Sequence, residues 1–188
     1  MAVGILGGAF DPPHNGHVAL ALTAIASLGL PRLLVTVVVD PGHKRVATPA
    51  DTRLLLARLA FADVPRVEVE LEPHARTVDA LEARGLERPV FVIGADELVD
   101  FARWKEPERV LELAELAVAT RPGHSAERLD AALAALPEGA QVCVFELQPL
   151  AVSSSEIRAR AARGEPIRDL VPPAVAAEIE RLGLYRDG

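Results

Sequence analysis

Two histidines near the N-terminus are the residues best suited to chemistry. His14 and His17 lie within residues 7–18, Gly-Gly-Ala-Phe-Asp-Pro-Pro-His-Asn-Gly-His-Val. This stretch separates an apolar run at residues 2–6, which predicts a strand, from an apolar-periodic stretch at residues 18–28, which predicts a helix. A loop between a first strand and a helix places imidazoles and free backbone N–H groups where an anion can bind. The pattern therefore predicts phosphate chemistry at this loop.

Two histidines at this spacing can also belong to other kinds of site. Neither the dinucleotide pattern Gly-x-Gly-x-x-Gly nor the P-loop pattern Gly-x-x-x-x-Gly-Lys-Ser/Thr occurs in the chain. A zinc site on His14 and His17 would lack a third and a fourth ligand, since Cys143 falls in a predicted strand and Asp11 is explained as part of the loop. No metal held by protein ligands is expected.

A second stretch with chemical potential is Val-Ser-Ser-Ser-Glu-Ile-Arg at residues 152–158. Ser153 and Glu156 have the spacing of a capping box, which predicts a helix that starts here. The serine hydroxyls, the free N–H groups of that helix and Arg158 also form a cradle for phosphate groups. Both interpretations can hold at once, because the cap helps to form the cradle.

The remaining pattern alternates apolar runs with amphipathic stretches. Strands are predicted at residues 2–6, 33–39, 67–71, 89–93, 114–119 and 141–146, and the main helices at 18–28, 49–62, 77–84, 125–136, 152–163 and 172–182. Thr48 is the expected N-cap of the second helix, with Pro49 at its first position. This order predicts an α/β fold with a doubly wound, Rossmann-like parallel sheet, helices on both faces and further C-terminal helices. Residues 1–188 show no repeat or linker and are expected to form a single domain.

Composition limits the classes of partner. A formal net charge of −7 argues against binding to a nucleic-acid backbone, although a few placed cations can still bind a small phosphorylated substrate. Cys143 is the single cysteine, so no intramolecular disulfide can form, and its apolar neighbours predict a buried strand position. Neither a leader segment nor a long apolar span is evident, which favours a cytoplasmic protein without membrane partners. The sequence does not indicate an oligomeric state.

The two chemical stretches resemble the motifs of a known superfamily. Residues 7–17 match the form Gly-Gly-x-Phe-Asp-Pro-x-His-x-Gly-His of the nucleotidyltransferases, and residues 153–158 match Ser-Ser-Ser-x-Ile-Arg. Further matches are Pro41-Gly-His-Lys44, Ile93-Gly-Ala-Asp96, the Trp104 segment, Thr120-Arg-Pro-Gly123 and the ending Gly183-Leu-Tyr-Arg186. Together they resemble the bacterial nicotinate-nucleotide adenylyltransferase family, which joins nicotinate mononucleotide to the AMP part of ATP.

This resemblance implies roles for particular residues. The substrates would be ATP and a pyridine mononucleotide, with Mg²⁺ carried by ATP. The catalytic residues would be His17, His14 and Lys44, of which the histidines contact the ATP phosphates and the lysine neutralises charge. The other residues on the ATP side would be Gly7, Gly8, Phe10, Ser154, Ser155 and Arg158. The mononucleotide side would comprise Thr77, Asp96, Trp104 and Lys105, with the indole ring stacking near the pyridine.

The chain departs from the family at the pyridine site. Lys105 replaces the aromatic residue that usually follows the tryptophan, and Ala75-Arg76 replaces a Ser-Tyr pair before Thr77. A cation near a pyridine carboxylate would favour the acid over the amide, although an exposed lysine can also simply point into water. Asp96 could alternatively be a turn or cap residue, and Trp104 a core residue.

Other functions remain open at this level. They are an amide-preferring or dual-specificity mononucleotide adenylyltransferase, a phosphopantetheine adenylyltransferase, and a catalytically idle nucleotide-binding sensor. The phosphopantetheine enzymes usually carry threonine at the position of His14, which counts against that alternative.

Overall fold

A computed structural model of the protein describes residues 2–42, 46–121 and 126–186, with the side chain of residue 126 excepted. Within these residues, six parallel strands form one sheet in the order β3-β2-β1-β4-β5-β6. The strands are β1 (Gly4–Gly8), β2 (Leu33–Val38), β3 (Val67–Glu72), β4 (Val90–Gly94), β5 (Glu115–Thr120) and β6 (Val142–Glu146). The chain moves outward from β1 to β3, then returns to the other side of β1 at β4. This reversal is the topological switch point of a doubly wound sheet, where ligands bind beyond the carboxyl ends of the strands.

Helices cover both faces of the sheet. They are α1 (Asn15–Leu28), α2 (Ala50–Phe61), α3 (Thr77–Arg84), α4 (Ala95–Val99), α5 (Pro107–Leu113), α6 (Ala126–Ala134), α7 (Ser154–Ala162) and α8 (Pro173–Leu182), with a 3-10 turn at Phe101–Arg103. The apolar sides of α1, α2, α7 and α8 pack into one core cluster, and those of α3 to α6 into another. Alternate residues of a strand enter opposite clusters, as Ile5 and Leu6 do in β1.

The element boundaries differ from the predicted ones in two informative places. Strand β1 extends through Gly7 and Gly8, because parallel pairing with Thr36 and Val37 of β2 carries these glycines into the sheet. The expectation that Thr48 caps α2 is wrong: Pro49 is the N-cap, with ψ at 151°, and the helix begins one residue later. Proline has no backbone N–H, so it suits the helix start without a side-chain cap.

The expectation that Cys143 is buried is also wrong. Among the described residues its strand, β6, pairs only with β5 and forms an edge of the sheet, so Cys143 and Val144 are both exposed. An apolar sequence predicts a strand but does not tell whether other layers cover it. Among the described residues, no helix has the length and apolar character needed to cross a membrane.

Candidate active site

A cavity of about 480 Å³ lies beyond the carboxyl ends of the central strands. Its walls come from β1, β2, β3 and β4, from the start of α3 and from the segment that follows α4. The predicted site residues that line it are Gly7, Gly8, Thr77, Asp96, Trp104 and Lys105. Residues almost 100 positions apart therefore share one cavity, because the sheet order brings the ends of β1 and β4 together at the switch point.

Residues 7–17, here called the signature loop, contain His14 and His17. These two histidines form a stacked pair at the start of α1. His14 is the N-cap residue, and its ring centroid lies 3.7 Å from that of His17, with 23° between the planes. The backbone N–H of His14 donates to Nδ1 of His17 at 3.2 Å. Since Nδ1 accepts this hydrogen bond, the neutral His17 ring carries its hydrogen on Nε2. The edge of Phe10 contacts the same ring, with 4.9 Å between centroids.

Gly16 explains part of the signature's spacing. A Cβ atom at this position would lie 3.0 Å from Nδ1 of His14 and 3.1 Å from Cγ1 of Val152. Any larger residue would displace the imidazole or the segment before α7. The glycine between the histidines therefore permits the close approach of these two elements.

Burial controls the charge of His14. Only 9% of this residue is exposed, and burial, helped by the positive charge of Arg121, lowers the pKa of its imidazole to about 4. The ring is therefore neutral near pH 7. Its buried Nδ1 atom has no hydrogen-bond partner among the described residues, which is unusual for a polar atom in a protein interior.

The serine stretch lies against the signature loop. Ser153 is the N-cap of α7 and accepts a hydrogen bond from the N–H of Glu156 at 3.2 Å, so the predicted cap is present. Ser154 Oγ donates to the carbonyl of Pro12 at 2.8 Å, and Arg158 Nη1 donates to the carbonyl of Asp11 at 2.6 Å. These two bonds join residues more than 140 positions apart and place both predicted phosphate-binding stretches side by side.

Two of the predicted phosphate-binding side chains, Ser154 and Arg158, differ in how many of their hydrogen-bond donors are already used. The Ser154 hydroxyl already donates to a backbone carbonyl, whereas Arg158 has further N–H groups beyond the one bound to Asp11. A second of these donates to Ser155 Oγ at 3.3 Å. Arg158 is thus held at the signature loop and still carries donors for an anion.

Asp11 and Tyr185 form a contact whose role the sequence did not indicate. The buried Asp11 carboxylate accepts from the hydroxyl of Tyr185 at 2.7 Å and from the backbone N–H of Ala47. Burial raises the pKa of the Tyr185 hydroxyl, and the neighbouring Asp11 charge raises it further, so the group remains a donor. The C-terminal Gly-Leu-Tyr-Arg match therefore includes a side chain that braces the signature loop.

Arg53 was also missed by sequence reasoning. It lies within α2, is fully buried and donates to four backbone carbonyls: those of Ala9, Val38, Val39 and Thr48, at 2.7 to 3.0 Å. These carbonyls belong to the signature loop, the end of β2 and the segment before α2. Burial lowers the pKa of this guanidinium, while the charge of Asp11 opposes the shift. Its position on the inward face with Leu56, Ala57 and Ala60 was the available signal.

A buried carboxylate organises the wall at the end of β3. Glu72 accepts from Nε and Nη2 of Arg84 at 3.0 and 2.6 Å and from the backbone N–H of His74 at 3.0 Å. The His74 ring lies 2.7 Å from the same carboxylate. Burial alone would raise the pKa of Glu72, but the hydrogen bonds from His74 and Arg84 outweigh it and hold the pKa low. The wall therefore keeps its carboxylate ionised and paired.

Trp104 and Asp96 line the same cavity from segments that follow β4. The half-buried indole packs against Phe101 and Phe91, with centroids at 5.2 and 6.2 Å, and still lines the cavity. Asp96 is exposed in the first turn of α4, whereas Glu97 accepts the hydrogen bond from the N–H of Gly94 at 2.7 Å. The capping role thus belongs to Glu97, and Asp96 faces the cavity.

Lys105 does not simply point into water. Its Nζ lies 2.6 Å from Oδ1 of Asp79 in the first turn of α3 and 3.9 Å from Glu106. Lys44, the other predicted lysine, lies outside the described residues. The described part of the chain contains no group of three or more His, Cys, Asp or Glu side chains placed to hold a metal ion.

Comparison with known proteins places this site in a family. Residues 5–160, which include both chemical stretches, match the cytidylyltransferase-like family. A probable nicotinate-nucleotide adenylyltransferase of Roseiflexus sp. strain RS-1 is 40% identical, with 98% of each chain covered. Another, from Thermus thermophilus, is 39% identical over 99% of this chain and 100% of the relative. The chain belongs to the nicotinate-nucleotide adenylyltransferases of the cytidylyltransferase-like family.

Solved structures of nicotinate-nucleotide adenylyltransferases share the fold. The nicotinic acid mononucleotide adenylyltransferase of Plasmodium falciparum complexed with NaAD superposes with a TM-score of 0.79, covering 98% of this chain and 97% of that one at 19% identity. The putative nicotinate-nucleotide adenylyltransferase of Vibrio parahaemolyticus gives 0.66, with 100% and 98% covered at 20% identity. The prediction of a doubly wound α/β fold is confirmed.

Proposed function

We propose that the protein transfers the adenylyl group of ATP to nicotinate mononucleotide, giving deamido-NAD and pyrophosphate in NAD biosynthesis. The observation that carries this proposal is the stacked His14 and His17 pair on the loop whose start, at Gly7 and Gly8, lines the same cavity as Trp104. The first feature suits a polyphosphate, and the second suits an aromatic mononucleotide. Full-length likeness to the named relatives supports the same reaction.

The reaction needs positioning more than acid or base catalysis. A phosphate oxygen of the mononucleotide would attack the α-phosphorus of ATP, and pyrophosphate would leave on the opposite side. That oxygen is already ionised near neutral pH, so no general base is required. The barrier falls when two polyanions are held in line and donors meet the charge that develops on the transferring group.

The ATP side would use the signature and α7. We assign His17 to the α-phosphate, because its fixed tautomer presents an Nε2–H donor without a proton transfer. His14, neutral through burial, would hold the polyphosphate beside it. The remaining ATP contacts are proposed for Gly7, Gly8, Phe10, Ser154, Ser155 and Arg158. To donate to a phosphate oxygen, the Ser154 hydroxyl would have to give up its hydrogen bond to the Pro12 carbonyl.

The mononucleotide side would use the cavity. Trp104 offers an aromatic face for the pyridine ring, held by its contacts with Phe101 and Phe91. Thr77 and Asp96 supply polar groups for the rest of the nucleotide. Lys105 would shape the rim through its ion pair with Asp79.

Mg²⁺ would enter with ATP. The described residues offer no cluster of carboxylates, and the Asp11 carboxylate is already bound to Tyr185 and Ala47, so ATP oxygens and water would supply its ligands. When bound, the ion neutralises phosphate charge. We propose the same task for Lys44. A cytoplasmic location stays a prediction.

The decisive experiment compares kcat/KM for nicotinate mononucleotide and nicotinamide mononucleotide, each with ATP, by following pyrophosphate release. A preference for the acid is expected. Equal rates would instead establish a dual-specificity enzyme, and tight ATP binding without release would establish a nucleotide sensor. Turnover with phosphopantetheine alone would overturn the pyridine assignment.

A further inference from the structure

Among the described residues, four cationic side chains line the cavity: Arg76, Arg84, Arg103 and Lys105. Three of them make ion pairs with carboxylates of this chain at 3.3 Å or less: Arg84 with Glu70 and Glu72, Arg103 with Asp100, and Lys105 with Asp79. Arg76 makes no ion pair within the described part of the chain. The cavity thus contains one arginine whose charge the protein itself leaves uncompensated there.

Arg76 stands close to the pyridine side of the site. It immediately precedes Thr77, the first residue of α3, and the first turn of that helix carries Asp79. The 2.6 Å ion pair from Asp79 to Lys105 ties this turn to the segment that contains Trp104. The start of α3 and the stacking indole are therefore neighbouring parts of one wall.

We propose that Arg76 binds the carboxylate of the pyridine ring and makes the enzyme select the acid over the amide. This inference rests on the proposed function. A guanidinium offers parallel N–H donors that match both oxygens of a carboxylate. A carboxamide has one oxygen acceptor and an NH₂ donor group, so it loses one of these bonds and the charge attraction.

From the sequence alone, Arg76 and Lys105 are equal candidates for binding the pyridine carboxylate. The structure distinguishes them by their ion pairs. For Lys105 to bind a substrate carboxylate, it would first have to leave or share its short contact with Asp79. Much of its attraction for the ligand would be offset by that loss. Arg76 gives up no ion pair among the described residues.

The test replaces Arg76 with glutamine and measures kcat/KM for both mononucleotides in the intact enzyme. Loss of a charge-assisted hydrogen-bonded pair predicts a fall in the acid-to-amide ratio of about tenfold or more. The change should appear as a higher KM for nicotinate mononucleotide, with kcat and the KM for ATP nearly unchanged. Arg76→Lys should recover part of the acid-to-amide ratio, because lysine restores the positive charge but lacks the two parallel N–H donors of a guanidinium.

Arg103→Gln is the matched control, since it removes the same charge from the same cavity at a residue paired with Asp100. It should leave the ratio unchanged, and Lys105→Gln should also retain acid preference. Calorimetric binding of each mononucleotide to Arg76→Gln gives a readout independent of turnover, with weaker binding expected for the acid only.

The outcomes separate this inference from the proposed function. Acid preference that persists in Arg76→Gln, or that disappears in Lys105→Gln instead, overturns the assignment to Arg76. A wild-type enzyme without acid preference overturns both the acid assignment and this inference. A wild-type protein that turns over neither mononucleotide overturns the proposed function itself.

Discussion

Replacement of His14 by asparagine should remove a specific part of the protein's sensitivity to acid. Burial lowers the pKa of the His14 imidazole to about 4 in the folded protein, from the ordinary histidine value of 6.5. An unfolded chain therefore binds a proton at this ring in a pH range where the folded chain does not. Acidification from pH 6.5 toward 4 favours unfolding, and the stability that neutral His14 retains above pH 6.5 is lost over that window.

The size of the effect follows from the displacement of the pKa. Each unit corresponds to about 1.4 kcal/mol, so linkage predicts a loss of about 2 kcal/mol between pH 8 and 5 and of about 3 kcal/mol by pH 4. His14→Asn has no imidazole to protonate. The free energy of unfolding of the variant, minus that of the wild type, should therefore rise by these amounts as the pH falls from 8, whatever its value at pH 8.

Urea unfolding at pH 8, 5 and 4 measures the free energy of unfolding of both proteins at each pH. Nuclear magnetic resonance of the His14 ring protons in the folded wild type provides a direct check, since the ring should remain neutral at pH 5.5. A constant difference in stability between the two proteins from pH 8 to 4 would refute the reasoning, as would a ring that titrates near pH 6.5.

Four further substitutions test the site. His17→Ala should lower kcat on the order of a hundredfold with ATP binding mostly retained, because it removes a donor to the transferring phosphate. Arg158→Ala should chiefly raise the Kd for ATP, measured by calorimetry. Arg53→Met should cost about 3–5 kcal/mol in urea unfolding, since four backbone carbonyls lose the donor that a fully buried side chain provides. Tyr185→Phe should cost about 1.5–3 kcal/mol, because the ring stays while Asp11 loses a hydrogen bond.

Controls distinguish these effects. Near-normal turnover of His17→Ala would exclude its contact with the α-phosphate, and unchanged ATP affinity would remove Arg158 from the polyphosphate site. Arg53→Lys should recover only part of the lost stability, since one ammonium cannot reach all four carbonyls. Full recovery would contradict the four-carbonyl argument. If Tyr185→Phe is as stable as the wild type, the hydroxyl contributes nothing to holding the signature loop.

Local sequence signals predicted much of the fold because they act over a few residues. Gly29, Gly85 and Gly183 each follow a helix in the left-handed conformation, as their positions after apolar-periodic stretches predicted. The alternation of strands and helices similarly predicted a doubly wound sheet, since parallel strands need helical crossovers.

The same kind of reasoning failed where burial depends on a distant neighbour. Sequence analysis did not single out Arg53, which is buried because carbonyls of the signature loop and of the end of β2 surround it. Cys143 was expected to be buried, yet within the described part of the chain β6 receives no further strand on its outer side. The hydrogen-bond partners of Arg53 and the exposure of Cys143 depend on segments that are distant in sequence.

For the site, the sequence by itself determined which chemical groups are available and that they lie at strand ends and helix starts. Only the tertiary structure decided how they are paired. It placed Arg158 at the signature loop, brought Lys105 to Asp79 and left Arg76 without an ion pair among the described residues. The physical reason is that electrostatic pairing depends on distances across the sheet edge, which strand order sets and local sequence does not.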